Sequence, residues 1–593
     1  MLKTQTLQAD LCVVGGGIAG LCAAVEAARH GLKTVLMHER PVLGGNASSE
    51  IRMWICGAHG RDNRETGLIE EIALENLYRN PTKNYYLWDT VLYSFARREK
   101  NLTLLLNCAC MDAETETGDF PDGRTVRIKS VTGYQLTTQQ FRRVEARFFA
   151  DCSGDSILAP LTGAEFRIGR ESSAEFGEDT ATGTADSCTM GMSCLIQGRE
   201  TARPVPFIPP EWSTKLTAED LAGRLGDPRS TVENYWYLEL GGDRDSIGDT
   251  EAITEELIPL ALGTWDYLKN SGRYDTSTWD LDFLGFLPGK RESRRMVGEY
   301  MVTQRDISGG RQYPDTVAYG GWPLDDHFPG GFYHRGTPNT NVRTPAPYPL
   351  PYRALYSRNV ENLFFAGRNI SATHFAMSST RVMMTCALFG QAVGAAAAVA
   401  VAHDLTPHGV YKEQLHALQQ MLLNDDCFLP GFRREISDAC RRAEISGGSD
   451  ALRDGRDRVH GLYGGSDCGC RVKNGASVVY RLAEPAWVEA VHLVFDSDLN
   501  RESLPGDEME QYHPTRCSTL LDSPQMHMPL PLCRAFTLTA ETDDGPVVLA
   551  KVKDNRLRSY DVPVGRVLGG ITLVPGSNWG GGEETAVFSF DFR

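Results

Sequence analysis

The sequence predicts an α/β fold built from two separated stretches of chain, with an α+β region inserted between them and a β-sandwich at the C-terminus. Three observations carry this. Residues 11–37 run strand, glycine-rich turn, helix, strand. A second apolar strand at 363–366 leads into a long helix rich in Ala and Gly. Beyond Leu429-Pro430-Gly431 the chain breaks into short apolar runs separated by Gly, Pro and Asp. A chain of 593 residues exceeds what one core supports. The expected division is 1–160, 161–355, 356–428 and 429–593.

The first element is the most informative. Leu11–Val14 is a short apolar run suited to a parallel strand buried on both faces. It enters Gly15-x-Gly17-x-x-Gly20, a helix follows from about Ile18 to His30, and a second strand, Thr34–Met37, ends at Glu39. Each part has a physical task in holding a dinucleotide. Gly15 makes the tight turn, Gly17 lets the backbone approach a pyrophosphate, and Gly20 lets helix and strand pack closely. The helix N-terminus offers unpaired N–H groups and the positive end of its dipole. Glu39 can accept hydrogen bonds from an adenosine ribose, and its charge disfavours a 2′-phosphate. Strand, glycines, helix and acid at these spacings predict a Rossmann-like domain.

Leu43-Gly44-Gly45-Asn46 follows a few residues after Glu39, and on these residues the segment resembles the FAD-binding start of the flavin oxidoreductases that include fumarate reductase and heterodisulfide reductase-like proteins. More narrowly, it resembles the bacterial FAD-dependent oxidoreductases. Two later stretches are similar to the rest of that family's flavin site. Phe148-Phe149-Ala150-Asp151-Cys152-Ser153-Gly154-Asp155 is a strand running into a small-residue turn, and Leu363–Ala366 ends in Gly367-Arg368 ahead of the long helix. The resemblance implies that FAD is held by Gly15, Gly17, Ala19, Gly20, Glu39, Arg40, Gly44, Gly45, Asn46, Ser48, Ser153, Gly154, Asp155, Gly367, Arg368, Ser379 and Arg381. It also implies that the long helix points its N-terminus at the flavin pyrimidine, where Ser378, Ser379 and Thr380 would cap it. Arg381, unfavourable at a helix start, is expected to have a specific partner. No second Gly-x-Gly-x-x-Gly unit follows the first, so flavin reduction by an organic substrate is expected rather than by a nicotinamide.

Residues 160–355 lack the parallel pattern and carry Trp212, Trp236, Trp265, Trp279 and Trp322. The resemblance makes this stretch a substrate-binding cap. Pro288–Arg295 followed by Met296–Asp306 resembles a recurring family strand, with its basic residues facing either the site or solvent. Removing a proton while hydride leaves calls for a base titrating near neutrality, for which His serves most often. His374 is the first choice, in the loop before the long helix. His59, in Ser48–Gly60, is the second, and His334, beside Arg335, the third. Truncation of His374 should then cost rate while leaving fold and flavin intact. An alkene reductase of the fumarate reductase type would instead need a carboxylate clamp, for which Arg291, Arg294 and Arg335 are available.

In the C-terminal stretch, Val478–Leu482, Val488–Phe495, Phe536–Thr539, Val547–Val552 and Phe588–Phe592 read as strands of an antiparallel sandwich. Ala443–Gly447, Ala451–Gly455 and Val488–Asp496 resemble parts of galactose-binding-like domains. Such a domain binds a glycan or serves as packing surface or dimer contact, and the second use is favoured. A sugar, glycoside or polyol is the favoured substrate. A carbohydrate-binding protein with a remnant flavin domain is the rival of another class, and the intact flavin motifs speak against it.

Net charge of −17 and the lack of a Lys/Arg run long enough to make a basic patch argue against a nucleic-acid partner. The 15 scattered cysteines contain no Cys-x-x-Cys; the pairs Cys108/Cys110 and Cys468/Cys470 read as small apolar residues. A reducing cytoplasm suits them. Val382–Ala402 is long and uncharged enough to span a membrane, but its Ala/Gly composition favours a buried helix. No metal site is expected, and a homo-oligomer is compatible with the sequence.

Overall fold

A computed structural model describes residues 2–60, 62–225, 233–459, 468–499 and 515–593. The chain forms two compact units. One holds residues 1–58, 82–418 and 515–524, the other 59–81, 419–514 and 525–593.

The first unit is organised by a mixed sheet. Strands β1 (Thr4–Val14), β2 (Thr34–Met37), β3 (Leu102–Leu105), β4 (Cys108–Thr117), β5 (Val126–Gln135) and β6 (Gln140–Asp151) stand in the order β3-β2-β1-β6-β5-β4. The strand Leu363–Phe365 joins in parallel beside the end of β6. β1, β2, β3 and β6 are parallel, while β4 and β5 form an antiparallel extension. Val14 pairs with both Met37 and Asp151, and Asp151 with Phe365. The parallel strands therefore end together, and the turns after Val14, Met37, Asp151 and Phe365 share one edge of the sheet. Ligands of such sheets bind outside the carboxyl ends of the strands.

Helix α1 (Ile18–Arg29) lies against the long helix Met383–His403. The contact explains Gly390 and Gly394. A Cβ on Gly390 would stand 2.0 Å from Ala19 O, and one on Gly394 2.5 Å from Ala23 O. Gln391 adds a hydrogen bond of 3.1 Å from its Nε2 to the buried Glu26 Oε2. Met383–His403 is the one helix among the described residues long and apolar enough to cross a membrane, and 94% of its most apolar window is buried inside the protein.

The inserted region has its own core, in which Trp265, Trp279, Leu257 and Ile253 pack around the helix Thr250–Asn270. Here the structure departs from the expected strand. Only Gly289–Lys290 and Arg295–Met296 are extended pairs, and the rest of 288–306 is irregular until the helix Gln304–Ser308. Its backbone bonds go to distant segments instead of one neighbouring strand: Met296 N to Asn369 O, Val297 N to Glu165 O and Val302 N to Ser371 O. Nor are its arginines solvent-facing, since Arg291 and Arg295 are buried.

The second unit is antiparallel. Its strands run Cys470–Lys473, Glu584–Phe592, Val478–Phe495, Ser559–Asn578, Cys533–Thr542 and Gly545–Val552 across the sheet, with Glu444–Ser446 beside Val478–Phe495. Two of these strands are 18 and 20 residues long and slip register where they pair, between Arg481 and Ala486 and again between Val488 and Ala490. Such irregularities bend strands. The folded sheet encloses a core that includes Tyr480, Val491, Phe536, Leu573 and Phe590, with a smaller cluster of Val494, Ala586 and Phe588, giving a β-sandwich. The helix Leu68–Arg79 adds Leu74 and Leu77 to that core.

Candidate active site

At the shared edge the glycines form a cradle. Gly15 has φ of +105°, and a Cβ there would stand 2.4 Å from the Cys152 carbonyl. A Cβ on Gly20 would lie 1.9 Å from Gly15 O. Gly17 differs from both. Its φ of −64° and ψ of 179° suit any residue, and the nearest atom to a Cβ would be Gly45 Cα at 4.0 Å. Nothing in the protein itself demands glycine at this position. Gly44 N donates to Gly16 O at 2.8 Å, laying the 44–48 segment along the turn. No side chain caps α1, and its first intrahelical bond is Leu21 N to Gly17 O. The uncapped end with Ala19 and Gly20 in its first turn, beside a space that only a Cβ would narrow, fits a pyrophosphate.

Around this cradle the expected residues converge. Burial works to raise the Glu39 carboxyl, but hydrogen bonding and charge from His38, with the charge of Arg40, hold it at about 2. Arg40 lies 3.4 Å from Glu39 and 3.5 Å from Glu50. Ser48 Oγ donates to Gly45 O at 2.8 Å, and Asn46 Nδ2 to Lys290 O at 3.0 Å. The second half is anchored by Asp151, whose carboxylate accepts from Ser153 N, Ser153 Oγ and Leu158 N at 3.0, 2.7 and 2.8 Å. Asp155 meets Arg368 at 2.7 Å and Lys290 at 2.9 Å. Burial favours its protonation, yet these two cations keep it below the usual carboxylate range. Gly154 has no room for a Cβ, which would lie 2.5 Å from the Arg368 guanidinium. Gly367 has φ of +123°.

A second constellation is buried in the same unit. The structure makes His374 the first residue of a short helix, His374–Thr380, rather than part of a loop. Its ring is 1% exposed, with Nδ1 2.8 Å from Glu292 and Nε2 2.9 Å from Asp326. Burial pulls the imidazolium down, but the two carboxylates more than reverse this and raise it from 6.5 to about 10. At neutral pH the ring is therefore charged and has no lone pair to accept a proton, in contrast to the neutral base expected from sequence. Arg295 bridges Glu171 and Glu292 at 2.8 and 3.2 Å, and Glu171 accepts from His374 N at 2.9 Å.

The neighbouring Asp325 and His327 extend the network. Asp325 meets Arg381 at 3.1 Å, which supplies the partner expected for that arginine. His327 Nδ1 is 2.7 Å from Glu239, itself 3.3 Å from Arg291. Trp236 stands edge-on to the His327 ring at 5.1 Å. Sequence reasoning passed over His327. The only signal was the run Asp325-Asp326-His327 in a Gly/Pro-rich stretch. Ser379 does not cap the long helix: it lies inside the short one and its hydroxyl donates to Trp322 O. Ser378 and Thr380 lie inside it too, and the long helix starts at Met383, with Val382 at its N-cap position and no side-chain cap.

The remaining choices make no contact of their own with His374 or His327 among the bonds of the described residues. His59 falls in the second unit. His334 stacks on Phe328 at 4.1 Å, and its carbonyl accepts from Arg224 at 2.5 Å. The three arginines of a carboxylate clamp are scattered. Arg291 is paired to Glu239, Arg294 Nη1 donates to Asp155 O at 3.2 Å, and Arg335 is 86% exposed beside Glu219.

Among curated proteins the chain is similar to glycerol-3-phosphate dehydrogenase 2 of Mycobacterium bovis, at 36% identity over 73 residues, and the match spans 12% of each chain. Among solved structures it is similar to quinol fumarate reductase FrdA of E. coli, with 12% identity, TM-score 0.27 and coverage of 71% of this chain and 75% of that one. It is also similar to the family 32 carbohydrate-binding module of Streptococcus pneumoniae EndoD, with 14% identity, TM-score 0.17 and coverage of 26% of this chain and 99% of that one. The family described as FAD dependent oxidoreductase matches residues 10–422, from β1 through both halves of the glycine cradle to beyond the long helix. The chain belongs to that family, and it is an FAD-dependent oxidoreductase.

Proposed function

We propose that this enzyme oxidises a hydroxyl-bearing carbon of a sugar, glycoside or polyol. The observation that carries the reading is the placement of the buried acid–histidine–arginine cluster at the start of the long helix. Arg381 directly precedes that helix and is tied to Asp325, while Met384 N donates to Cys56 O at 3.0 Å, joining the helix start to the chain that follows Ser48. FAD, when bound, supplies a two-electron acceptor for hydride. In this reading Gly17, Ala19, Gly20, Gly45 and the free N–H groups of α1 hold the pyrophosphate. Glu39 accepts from the ribose, and Asp155 with Arg368 lines the far side.

His327 is proposed to take the substrate proton. Glu239 holds its Nδ1 and Arg291 keeps Glu239 in place, while Nε2, the proposed exchanging atom, lies 3.5 Å from Asp325, which a substrate hydroxyl would have to replace as its partner. His374 is proposed as a fixed cation that holds Glu292 and Asp326 in position. We further propose a cytoplasmic enzyme, without membrane or nucleic-acid partner, organised in the four stretches 1–160, 161–355, 356–428 and 429–593. Its sandwich would serve packing or homo-oligomer contact rather than glycan binding.

The test is anaerobic mixing of the purified enzyme with glucose, galactose, glycerol, sorbitol and simple amines, following flavin absorbance. Bleaching by a sugar or polyol, and none at a useful rate by NADH or NADPH, is the expected result. Rapid bleaching by a nicotinamide would overturn the reading, as would reduction by amines alone.

A further inference from the structure

Resting on the polyol reading, we infer that this site selects neutral, hydroxyl-bearing molecules and turns away carboxylates and phosphates. The inference comes from matching each cation in the cluster to its partner. Arg291 faces Glu239 at 3.3 Å, Arg381 faces Asp325 at 3.1 Å, and Arg295 is shared by Glu171 and Glu292 at 2.8 and 3.2 Å. His374 is held between Glu292 and Asp326. An arriving anion gains strongly only from a charge-assisted bond to a cation. Here it could do so only by displacing a buried carboxylate, which would then be left unpaired in the interior.

The opposite preference is built in at Glu239. This residue is 3% exposed, and its Oε1 accepts no hydrogen bond among the described residues, although Oε2 is engaged by His327. A buried acceptor without a donor is unfavourable. A ligand hydroxyl can donate to it, whereas an ionised carboxylate or phosphate has no proton to give. The half-buried Trp236, stacked on Tyr237 at 4.1 Å, and the half-buried Trp322 stand at the same cluster and make its surroundings aromatic. Trp322 Nε1 also donates to Asp325 at 3.4 Å. Donor-demanding oxygen, consumed cations and aromatic surroundings together describe a receptor for polyols.

Matched probes test this on the holoenzyme: glycerol against glycerol 3-phosphate, glucose against glucose 6-phosphate, and butane-1,4-diol against succinate. Binding is followed by perturbation of the bound flavin spectrum and by calorimetry. The expected result is that each anion binds at least about tenfold more weakly than its neutral partner, roughly 1.4 kcal/mol. Asp325→Asn removes the partner of Arg381 and should gain at least about tenfold in affinity for succinate or glycerol 3-phosphate while keeping its FAD. If that variant loses flavin, Glu239→Gln makes the same test at Arg291. Tighter binding of an anion than of its neutral partner by the unaltered enzyme overturns the inference. So does the absence of any gain in both variants, or of binding by either member of every pair. If the anion difference and its reversal hold but no neutral polyol bleaches the flavin, the oxidation reading falls while the charge selection stands.

Discussion

Gly17→Val protein should fold and fail to keep its FAD. Valine meets no backbone strain at φ −64° and ψ 179°, and its Cβ would find only Gly45 Cα, at 4.0 Å. The cost to folding is that of a poor N-cap residue, about 1 kcal/mol. The branched side chain nevertheless fills the space between the α1 terminus and Gly45, where the proposed site holds the pyrophosphate. Losing even two phosphate contacts of about 1.5 kcal/mol each would weaken retention by roughly 10²-fold. Gly20→Val and Gly390→Val provide the contrast. A Cβ at either would stand 2.0 Å or less from a backbone carbonyl oxygen, so these variants should fail to accumulate as folded protein. Flavin content and melting temperature measured together separate the outcomes. A Gly17→Val protein with normal FAD would show that the cradle is misassigned.

His374→Ala should be a stability variant before it is a rate variant. Removing the ring leaves Glu292 and Asp326 facing each other's side of a buried space without their shared cation, and breaking such a pair costs about 3–5 kcal/mol. The folded-state value of about 10 lies above the ordinary 6.5. The imidazolium's contribution is therefore complete below pH 6.5, falls by about 1.4 kcal/mol per pH unit above it, and is gone once pH passes 10. Unaltered protein should lose thermal stability across that window, and the alanine variant should lose this part of the slope. A variant that melts like the parent at pH 6.5 yet loses about 10² in rate would restore His374 as the proton acceptor.

The nucleotide half of the site was legible because its signals are local. Gly15, Gly17, Gly20 and Glu39 lie in one strand–helix–strand unit, and β2 spans the predicted Thr34–Met37. The turns after Asp151 and Phe365 were legible for the same reason, since each follows a buried strand directly. The proton chemistry was not. The bond from His374 to Asp326 joins residues 48 apart, and that from His327 to Glu239 residues 88 apart; no periodicity reports either. Two carboxylates brought by distant segments favour the imidazolium at His374. The strand Ser559–Asn578 was missed because its glycines and Pro563 and Pro575 read as turns, whereas pairing with strands on both sides keeps it extended. The helix Leu68–Arg79 packs into the sandwich core although it lies early in the sequence, and that pairing too has no local signature.

The most direct measurement is chemical. Purified protein is denatured, the released chromophore is separated and identified, and its amount is compared with that of the chain. The split glycine cradle and Glu39 call for FAD at one per chain, held without a requirement for added nicotinamide. FMN in its place, or a colourless protein that does not take up added FAD, would contradict the account.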